Sequence, residues 1–282
     1  MVAASLTGIR IQAKLILVKN MTEPTHPFDL SGRVAVVTGG NGGLGLGMAR
    51  TLAELGCGVA VWGRNPDKNA AAVAELAALG SHATGFQVDI LDEASIGTAF
   101  AGTLAQYGRV DGMFANAGVI GEMKSFLDRT NEEWAAMLGA NLHGMRACFQ
   151  VAARHMIERA KAGDPFGRLV ATSSVASIDG AAFNEHYGTS KGAVNSLVRA
   201  LAVELARHGI TVNAILPGYA ESDMTEGLLA NDKFLGNILP RMPMRRVGQP
   251  DDFGGIAAYL MTGLSAYQTG TCTVIDGGYS IY

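Results

Sequence analysis

Short apolar runs alternate with longer amphipathic segments along most of the chain. The first run, Val34 to Val37, is continuously apolar and precedes a glycine-rich turn, which is typical of a strand buried on both faces of a sheet. Six further runs predict strands at about 58–62, 82–88, 110–115, 168–172, 210–216 and 271–275. Apolar residues spaced by three and four predict helices at about 44–55, 66–79, 93–107, 131–160, 185–208 and 251–262.

This regular alternation of strands and helices predicts a parallel sheet, and right-handed crossovers make such a sheet doubly wound. No Pro/Ser linker, block of charge or internal repeat divides residues 29–282. We therefore predict one α/β domain over 29–282, with a seven-stranded parallel sheet and helices on both faces. Residues 1–28 are predicted to be an N-terminal extension, because Met21 followed by Thr22-Glu23-Pro24 looks like a natural start.

Composition and charge exclude several classes of protein. Hydrophobic residues make up 48% and charged residues 17% of the chain, the formal net charge is −3 and no basic footprint for nucleic acid is visible. The longest apolar stretches are too short to cross a membrane. The three cysteines, Cys57, Cys148 and Cys272, are odd in number and far apart, so we expect reduced thiols in a cytoplasmic protein and no metal site.

A glycine-rich turn follows the first predicted strand. Its glycines permit a tight turn and the close approach of a pyrophosphate to a helix N-terminus. Packing alone also produces such turns, so this signal is weak by itself. Residues that end the third and fourth strands strengthen it, since they could reach an adenine or place small groups at the sheet edge. The predicted cofactor-binding residues of this region are Gly39, Asn41, Gly43, Leu44, Gly45, Asp89, Ile90, Asn116, Ala117 and Gly118.

The end of the second strand bears on the type of dinucleotide. An acid about twenty residues beyond the glycine turn would hold the ribose 2′-hydroxyl of NAD. Gly63 stands where this acid is expected, and Arg64 and Asn65 follow it. A missing carboxylate together with a guanidinium favours a 2′-phosphate, and hence NADP. The alternative is that Arg64 is a solvated loop residue, which leaves NAD possible.

Tyr187 and Lys191 are spaced so that they share one face of a predicted helix. A phenol ordinarily loses its proton near pH ~10. A fixed ammonium nearby stabilises the phenolate and brings the group into catalytic range. Ser174 lies upstream at the end of the fifth strand, and Ser173 beside it competes for the same role. The group predicts a carbonyl/alcohol oxidoreductase that moves a hydride.

Taken in order, these motifs resemble those of the short-chain dehydrogenase/reductase family, and the resemblance runs from about residue 30 to the C-terminus. It implies a Rossmann-type fold, and the family's interval between serine and tyrosine selects Ser174 over Ser173. The resemblance is carried by Thr38-Gly39, Gly43-Leu44-Gly45, Asn116-Ala117-Gly118, Asn141, Ser174, Tyr187, Lys191, Pro217-Gly218 and Asp276-Gly277-Gly278.

The resemblance also implies roles for individual residues. Tyr187 would be the general acid in ketone reduction and the general base in alcohol oxidation. Lys191 would bind the nicotinamide ribose and lower the pKa of Tyr187. Ser174 would donate to the substrate oxygen, and Asn141 would hold a water that links Lys191 to solvent. The residues expected near the nicotinamide are Pro217, Gly218, Ala220 and Ser222, the last standing where the family commonly has threonine.

We therefore predict an NAD(P)-dependent oxidoreductase, and in particular an NADPH-dependent reductase of a small carbonyl compound. One alternative is an NAD-dependent sugar-acid or polyol dehydrogenase, because Gly40-Asn41-Gly42 resembles the glycine turn of some such enzymes. Another is a nucleotide-sensing regulator, which should lack Tyr187 or Lys191. The apolar segment 219–245 beside the site could bind a hydrophobic ketone, but we favour a packing role for it.

Two long helices, at about 131–160 and 185–208, carry apolar or small residues on more than one side. This surplus suggests a partner surface. The resemblance implies pairing through these two helices into a homo-dimer or homo-tetramer. In the second helix we predict that a stripe faces the sheet and a second stripe remains for another surface: Ala193, Leu197, Ala200, Leu201 and Leu205 in the first, and Val194, Val198, Ala202 and Val203 in the second.

Overall fold

Seven parallel strands form the centre of the computed structural model, which describes residues 26–282. They are β1 (Val34–Thr38), β2 (Gly58–Gly63), β3 (Ala83–Gln87), β4 (Gly112–Ala115), β5 (Gly167–Thr172), β6 (Ile210–Pro217) and β7 (Cys272–Ile275). Their order across the sheet is β3-β2-β1-β4-β5-β6-β7. The order reverses between β1 and β4, so the carboxyl ends of these two strands open a crevice. The predicted fold is confirmed, while most of the predicted 1–28 extension lies outside the described residues.

Helices connect the strands and cover both faces of the sheet. Within residues 26–282 they are α1 (Gly43–Glu54), α2 (Pro66–Ala78), α3 (Glu93–Tyr107), α4 (Asn131–Leu138), α5 (Met145–Lys161), α6 (Glu185–Leu205), α7 (Glu226–Leu229), α8 (Asp232–Ile238) and α9 (Gly254–Met261). No helix in this part of the chain is long and apolar enough to span a membrane.

Two hydrophobic clusters explain why the central strands are apolar at every position. Val36 and Ala60 belong to the cluster under α3, α5 and α6, whereas Val37 and Val61 belong to the cluster under α1, α2 and α9. Successive side chains of a strand point to opposite faces, so a sheet covered twice needs apolar residues in both registers. The continuous run in β1 is therefore a direct consequence of the two layers of helices.

The predicted long helix at 131–160 is interrupted. A π-helical turn, Gly139–Gly144, separates α4 from α5, and Asn141 lies within it. A Cβ at Gly144 would lie 2.8 Å from the carbonyl oxygen of Ile90, so the backbone here packs directly on the loop after β3. Wide turns of this kind often occur at functional sites because they change the direction of one side chain.

The face of α6 that packs on the sheet differs from the predicted one. Val194, Val198 and Ala202 are buried in the cluster under this helix, whereas Val203 is 85% exposed. The stripe begins at Lys191, which is buried at the carboxyl edge of the sheet, and continues at spacings of three and four. The position of the lysine therefore fixes the rotation of the helix, and three of the residues predicted to face a partner face the sheet.

The segment 219–245, between β6 and α9, packs largely on itself. Ile238 and Met242 are buried against Tyr279, and partly buried residues such as Phe234 and Leu235 pack around them. The predicted packing role is confirmed for these residues. Two methionines of the same segment, Met224 and Met244, are 40% and 60% exposed and do not take part in that small core.

Candidate active site

The glycine turn between β1 and α1 adopts the conformation that its composition requires. Gly43 has φ +48°, in the left-handed region that favours glycine. A Cβ at Gly45 would lie 2.2 Å from the carbonyl oxygen of Gly39, so no larger residue fits there. The first turn of α1 therefore approaches the end of β1 as closely as backbone allows. This leaves an open cradle of backbone at the N-terminus of α1, which suits a pyrophosphate.

Asn116 joins the ends of three strands beneath this cradle. Its backbone amide donates to Thr38 Oγ1 over 3.0 Å, and its side-chain amide donates to Thr38 O over 3.1 Å. Thr172 Oγ1 donates to Asn116 Oδ1 over 3.1 Å, and Ala117 N also donates to Thr38 Oγ1. The hydrogen bonds fix the ends of β1, β4 and β5 relative to one another, and they hold Ala117 and Gly118 at the crevice.

The end of β2 shows why an acid is missing at residue 63. A Cβ on Gly63 would lie 2.3 Å from Asn41 Nδ2 and 2.5 Å from Asn69 Oδ1. These two side chains are themselves bonded, since Asn41 Nδ2 donates to Asn69 Oδ1 over 2.7 Å. Asn69 is buried and also donates to the carbonyl of Gly63. The asparagine pair therefore occupies the space that a carboxylate side chain at 63 would need.

Arg64 is exposed at the rim of the crevice, directly after β2. Its guanidinium has no hydrogen-bond or ion-pair partner within residues 26–282, so it is available to a ligand. Asn65 caps α2, accepting from the amides of Asp67 and Lys68 over 2.9 and 3.0 Å. The cap engages the side-chain oxygen of Asn65 that a ligand would otherwise meet.

Asp89 and Ile90 lie on the loop after β3, at the outer end of the same crevice. One carboxylate oxygen of Asp89 accepts from the amide of Leu91 over 3.0 Å, which holds the exposed carboxylate in place. Ile90 packs partly against the core, and its carbonyl faces Gly144.

Tyr187 and Ser174 meet at the carboxyl end of β5. The Ser174 hydroxyl hydrogen-bonds the phenol, and its oxygen also accepts from Ala176 N over 3.1 Å. Ser173 points away, because its hydroxyl donates to Lys191 O over 3.1 Å. The geometry thus agrees with the choice of Ser174 over Ser173. Burial raises the pKa of Tyr187, and the hydrogen bond from Ser174 offsets part of that rise.

Lys191 lies beneath Tyr187, with its Nζ 5.7 Å from the centre of the phenol ring. It is 5% exposed and donates to Thr172 O over 2.8 Å. Burial lowers the pKa of Lys191 to about 8, because the ammonium has lost most of its water. The lowering of the tyrosine pKa by the lysine, which the resemblance implies, stays a prediction, since burial has the largest effect on the pKa of Tyr187 and raises it.

Asn141 connects the loop after β4 to α6. Its side chain pairs with the backbone of Val119 in both directions, over 2.8 and 2.9 Å, and donates to Ser190 Oγ over 3.0 Å. Ser190 in turn donates to Tyr187 O. A Cβ on Gly118 would lie 2.8 Å from Asn141 Oδ1 and 3.6 Å from Lys191 Nζ, so Gly118 separates these two polar groups. The side-chain amide of Asn141 is thus occupied by protein groups.

The loop after β6 closes the other side of the crevice. Pro217 ends β6, and a Cβ on Gly218 would lie 2.7 Å from that of Asp276, so this strand end packs tightly on the C-terminal segment. A Cβ on Gly43 would lie 2.9 Å from Ser222 Cβ. Ser222 therefore contacts the glycine turn, and its hydroxyl lies 3.1 Å from that of Thr225. Ala220 is buried in the cluster under α1, α2 and α9.

All the predicted site residues therefore lie along the carboxyl edge of the sheet, with Arg64, Asn65 and Asp89 at the outer end and Ser174, Tyr187 and Lys191 at the inner end. The sequence-based list missed Asn69 and Thr172. The Asn69 side chain donates to the carbonyl of Gly63. The Thr172 hydroxyl donates to Asn116, and the Thr172 carbonyl accepts from Lys191. Thr172 ends a predicted strand just before Ser173, and this position was the one available signal. Among residues 26–282, no group of three His, Cys, Asp or Glu side chains could hold a metal ion.

The chain is similar to known proteins over most of its length. The family model described as Enoyl-(Acyl carrier protein) reductase matches residues 39–280. L-rhamnose 1-dehydrogenase (NAD(P)(+)) of Sphingomonas sp. is 32% identical over 250 residues, which are 88% of this chain and 96% of that protein. Gluconate 5-dehydrogenase of Gluconobacter oxydans is 31% identical over 260 residues, which are 91% of this chain and 99% of that protein.

A solved structure of 7α-hydroxysteroid dehydrogenase, in complex with NADH and 7-oxo glycochenodeoxycholic acid, superposes with a TM-score of 0.84. It is 27% identical and covers 89% of this chain and 96% of its own. The chain belongs to the short-chain dehydrogenase/reductase family, and the resemblance found in the sequence is confirmed. It is an oxidoreductase by family, of the kind that acts on CH–OH groups.

Proposed function

We propose that this chain interconverts a ketone and a secondary alcohol with NADP as its preferred cofactor. One observation carries the proposal: the Ser174 hydroxyl, the Tyr187 phenol and the Lys191 ammonium meet at the inner end of a crevice that begins at a glycine turn. Bound NAD(P) supplies the hydride for reduction or accepts it in oxidation. The domain that does this work is residues 29–282.

Tyr187 holds the proton that the substrate oxygen needs. Because burial raises its pKa, the phenol is protonated at neutral pH and is ready to act as an acid on a ketone. In alcohol oxidation the same group must first lose this proton. Ser174 is placed to donate to the substrate oxygen as negative charge develops there, since its hydroxyl already contacts the phenol.

Lys191 and Asn141 support this pair. Lys191 is buried and anchored to Thr172 O, which leaves its other donors for the nicotinamide ribose. Asn141, through Val119 and Ser190, fixes the loop after β4 against the first turn of α6. Since its side chain is bonded to protein groups, we propose that Asn141 positions Tyr187 and Lys191 and that any water it holds is bound through its backbone.

The residues proposed to hold the dinucleotide run along the crevice. Gly39, Gly43 and Gly45 receive the pyrophosphate, Asp89 and Ile90 the adenine, and the loop after β6 the nicotinamide. Arg64 meets the 2′-phosphate of NADP, since its guanidinium is exposed and unpaired within the described chain. The asparagine pair at Gly63 excludes the acid that would select NAD.

We expect Arg64→Ala to weaken NADPH binding by roughly 10- to 100-fold, because a charge-assisted contact to phosphate is worth a few kcal/mol. NADH has no 2′-phosphate, so its dissociation constant should change little. Fluorescence titration of both cofactors measures this directly. Arg154→Ala, which removes another exposed arginine on α5, is the control. Equal kcat/KM with NADPH and NADH in the parent protein would contradict the NADP preference.

Two classes of substrate are compatible with the proposed function. The sugar and sugar-acid dehydrogenases among the relatives favour a polyol or sugar-acid substrate with NAD or NADP. The solved structure of 7α-hydroxysteroid dehydrogenase with 7-oxo glycochenodeoxycholic acid shows that the same fold accepts a ketone on a steroid skeleton that also carries a carboxylic acid. Nicotinamide absorbance with a panel of ketones and alcohols, using NADPH and NADH in turn, tests the proposed function. A chain that binds dinucleotide and turns over none of them would instead be a nucleotide sensor.

We also propose a homo-dimer or homo-tetramer in the cytoplasm. Val203 lies exposed on the outer face of α6, and β7 is an edge strand with exposed Val274. Tyr267, Ile281 and Tyr282 are also exposed, and they lie close to β7 in the sequence. Edge strands and apolar patches of this kind are commonly covered by a second copy. The three free thiols support a reducing compartment.

Light scattering at micromolar protein should therefore show a dimer or tetramer. Val203→Glu and Tyr267→Glu each place a charge on one of the two surfaces, at positions too exposed to disturb the fold of one copy. We expect each variant to reduce the measured mass if its surface is used. A single species of 29.4 kDa for the parent chain would refute the assembly.

A further inference from the structure

Exposed apolar side chains surround the mouth of the candidate site. Met123 and Phe126 follow β4, Ile178 and Phe183 follow β5, and Met224 follows β6. Their exposed fractions are 55%, 60%, 55%, 55% and 40%. These three loops leave the carboxyl ends of β4, β5 and β6, the strands that lead to Asn116, to Ser174 and to the loop expected near the nicotinamide. This edge of the sheet is where substrate must enter. The apolar rim, as we call these five residues, is therefore placed to meet substrate.

The loops form one continuous surface rather than separate tips. Lys124 N donates to Phe183 O over 3.0 Å, and Arg129 Nη2 donates to the same carbonyl over 3.1 Å. Phe183 is one of two non-glycine residues with positive φ in the described chain, at +64°, a conformation that these bonds hold in place. Burial raises the pKa of Tyr219 to about 12, and the negative charge of Asp179 adds a small part, so the loop after β5 also lies near the loop after β6.

The charge of the loops after β4 and β5 disfavours an anionic substrate. Residues 119–130 and 175–186 contain two bases, Lys124 and Arg129, and four acids, Glu122, Asp128, Asp179 and Glu185. Both bases already bind Glu133: Lys124 Nζ lies 3.3 Å from each of its oxygens, and Arg129 Nη1 lies 3.6 Å away.

Arg129 makes further hydrogen bonds to the protein. Its side chain is 3% exposed, and Nη2 also donates to the carbonyls of Glu122 and Lys124 over 2.9 and 3.4 Å. Its Nε is buried as well. His186 in the same region is buried, and burial lowers its pKa, so it is neutral at pH 7. A carboxylate at the mouth would therefore meet four acids and no free cation on these two loops.

We propose that the substrate is a ketone, or the matching alcohol, on a bulky, uncharged apolar skeleton, such as an alicyclic or aryl ketone, and not a sugar acid. The proposal rests on the oxidoreductase function above and specifies its substrate class. Such a substrate gains affinity because the apolar rim covers its skeleton, whereas a polyol or a carboxylate gains no affinity from the rim.

A matched pair of probes tests the charge argument. A methyl-substituted cyclohexanone and the same ring with a carboxylate at that carbon differ mainly in charge. We expect kcat/KM for the methyl compound to exceed that for the carboxylate by about 100-fold, and to exceed that for ketogluconate as well. If ketogluconate is the better substrate and its turnover depends on Tyr187, the oxidoreductase function stands and the substrate class is overturned. If no ketone is reduced with either cofactor, the oxidoreductase function itself fails.

The double variant Met123→Ser/Phe183→Asn tests the rim. Asparagine tolerates positive φ, so the loop conformation at residue 183 is kept. We expect KM for the methyl-substituted cyclohexanone to rise about tenfold with a smaller change in kcat. Leu79→Ser is the control, because it also removes an exposed apolar side chain, at the C-terminal end of α2. It should change neither KM nor kcat. An unchanged KM in the double variant would overturn the proposal. A loss of the oligomer in this variant would also overturn it, because it would show that another copy of the chain covers the rim.

Discussion

Tyr187→Phe is expected to lower kcat/KM for ketone reduction by at least about 10³-fold, near the upper range for loss of a general acid. The ring and its packing remain, and only the hydroxyl that contacts Ser174 is removed. In the proposed function the glycine turn and Lys191 hold the cofactor, so we expect the dissociation constant for NADPH to stay within about threefold. Steady-state kinetics and cofactor titration on the same preparation separate the two effects.

The matched control is Tyr259→Phe, which also removes one tyrosine hydroxyl. Tyr259 lies on α9 and donates to Gln268 Oε1 over 3.1 Å, away from the candidate site. Its variant should keep the parent turnover. Near-normal turnover in Tyr187→Phe would remove the catalytic assignment, whatever the behaviour of the control.

The direction of the pKa shift gives this prediction a pH signature. Reduction needs the protonated phenol, and burial, by raising the pKa of Tyr187, extends the protonated range upward. Oxidation needs the ionised phenol. The rate of oxidation in the parent should therefore rise with pH while that of reduction falls, with both changes centred on the same pKa. The residual activity of Tyr187→Phe should lack both changes.

Local patterns in the sequence predicted most of the fold. The helix predicted at 93–107 is α3, Glu93–Tyr107, because its acidic N-cap and its left-handed Gly108 are local signals. The strands were visible for a similar reason, since a sheet covered on both faces demands continuous apolar runs. Features that depend on contacts between distant segments were not visible. The π-turn at Gly139–Gly144 packs on Ile90, and nothing in the local pattern of 131–160 shows that contact.

The site divides in the same way. Motif order was enough to find the tyrosine, the lysine and the serine, whose spacing on α6 and β5 is a local property. The reason for Gly63 was not readable, because the side chains that fill its space come from Asn41 and Asn69. The state of Lys191 was also beyond the sequence, since its lowered pKa comes from burial under elements far away in the chain.

Asp111 is the clearest residue that the sequence did not reveal. It appeared as one acid within the apolar run 110–115, yet its side chain is completely buried at the amino end of β4. Oδ1 accepts from Arg33, Arg109 and Arg159 over 3.2, 2.5 and 2.9 Å, and Oδ2 accepts from Val34 N over 3.0 Å. One carboxylate thus ties the starts of β1 and β4 to α5, at the edge of the sheet opposite the site.

Asp111→Asn is expected to lower the free energy of unfolding by about 3–5 kcal/mol, because removing one partner of a buried ion cluster leaves the other charges uncompensated. Burial alone would raise the pKa of Asp111, but Arg109 and Arg159 hold it below its usual range. The contribution is therefore complete above the ordinary pKa of an unfolded aspartate, ~3.9, and is lost as pH falls through the lower folded-state pKa. Urea denaturation of parent and variant should show a wide gap at pH 7 that narrows in acid.

Asp164→Asn is the matched control, because Asp164 binds two of the same arginines, Arg109 and Arg159, over 3.2 and 2.6 Å. Its side chain is 45% exposed, so solvent screens its interactions and its loss should cost no more than about 1 kcal/mol. Two of the three arginines that bind Asp111 also bind Asp164, so the difference between the two variants mainly measures the effect of burial. Equal losses in Asp111→Asn and Asp164→Asn, or a gap that does not narrow in acid, would show that the buried carboxylate is not the group that joins the amino ends of these strands.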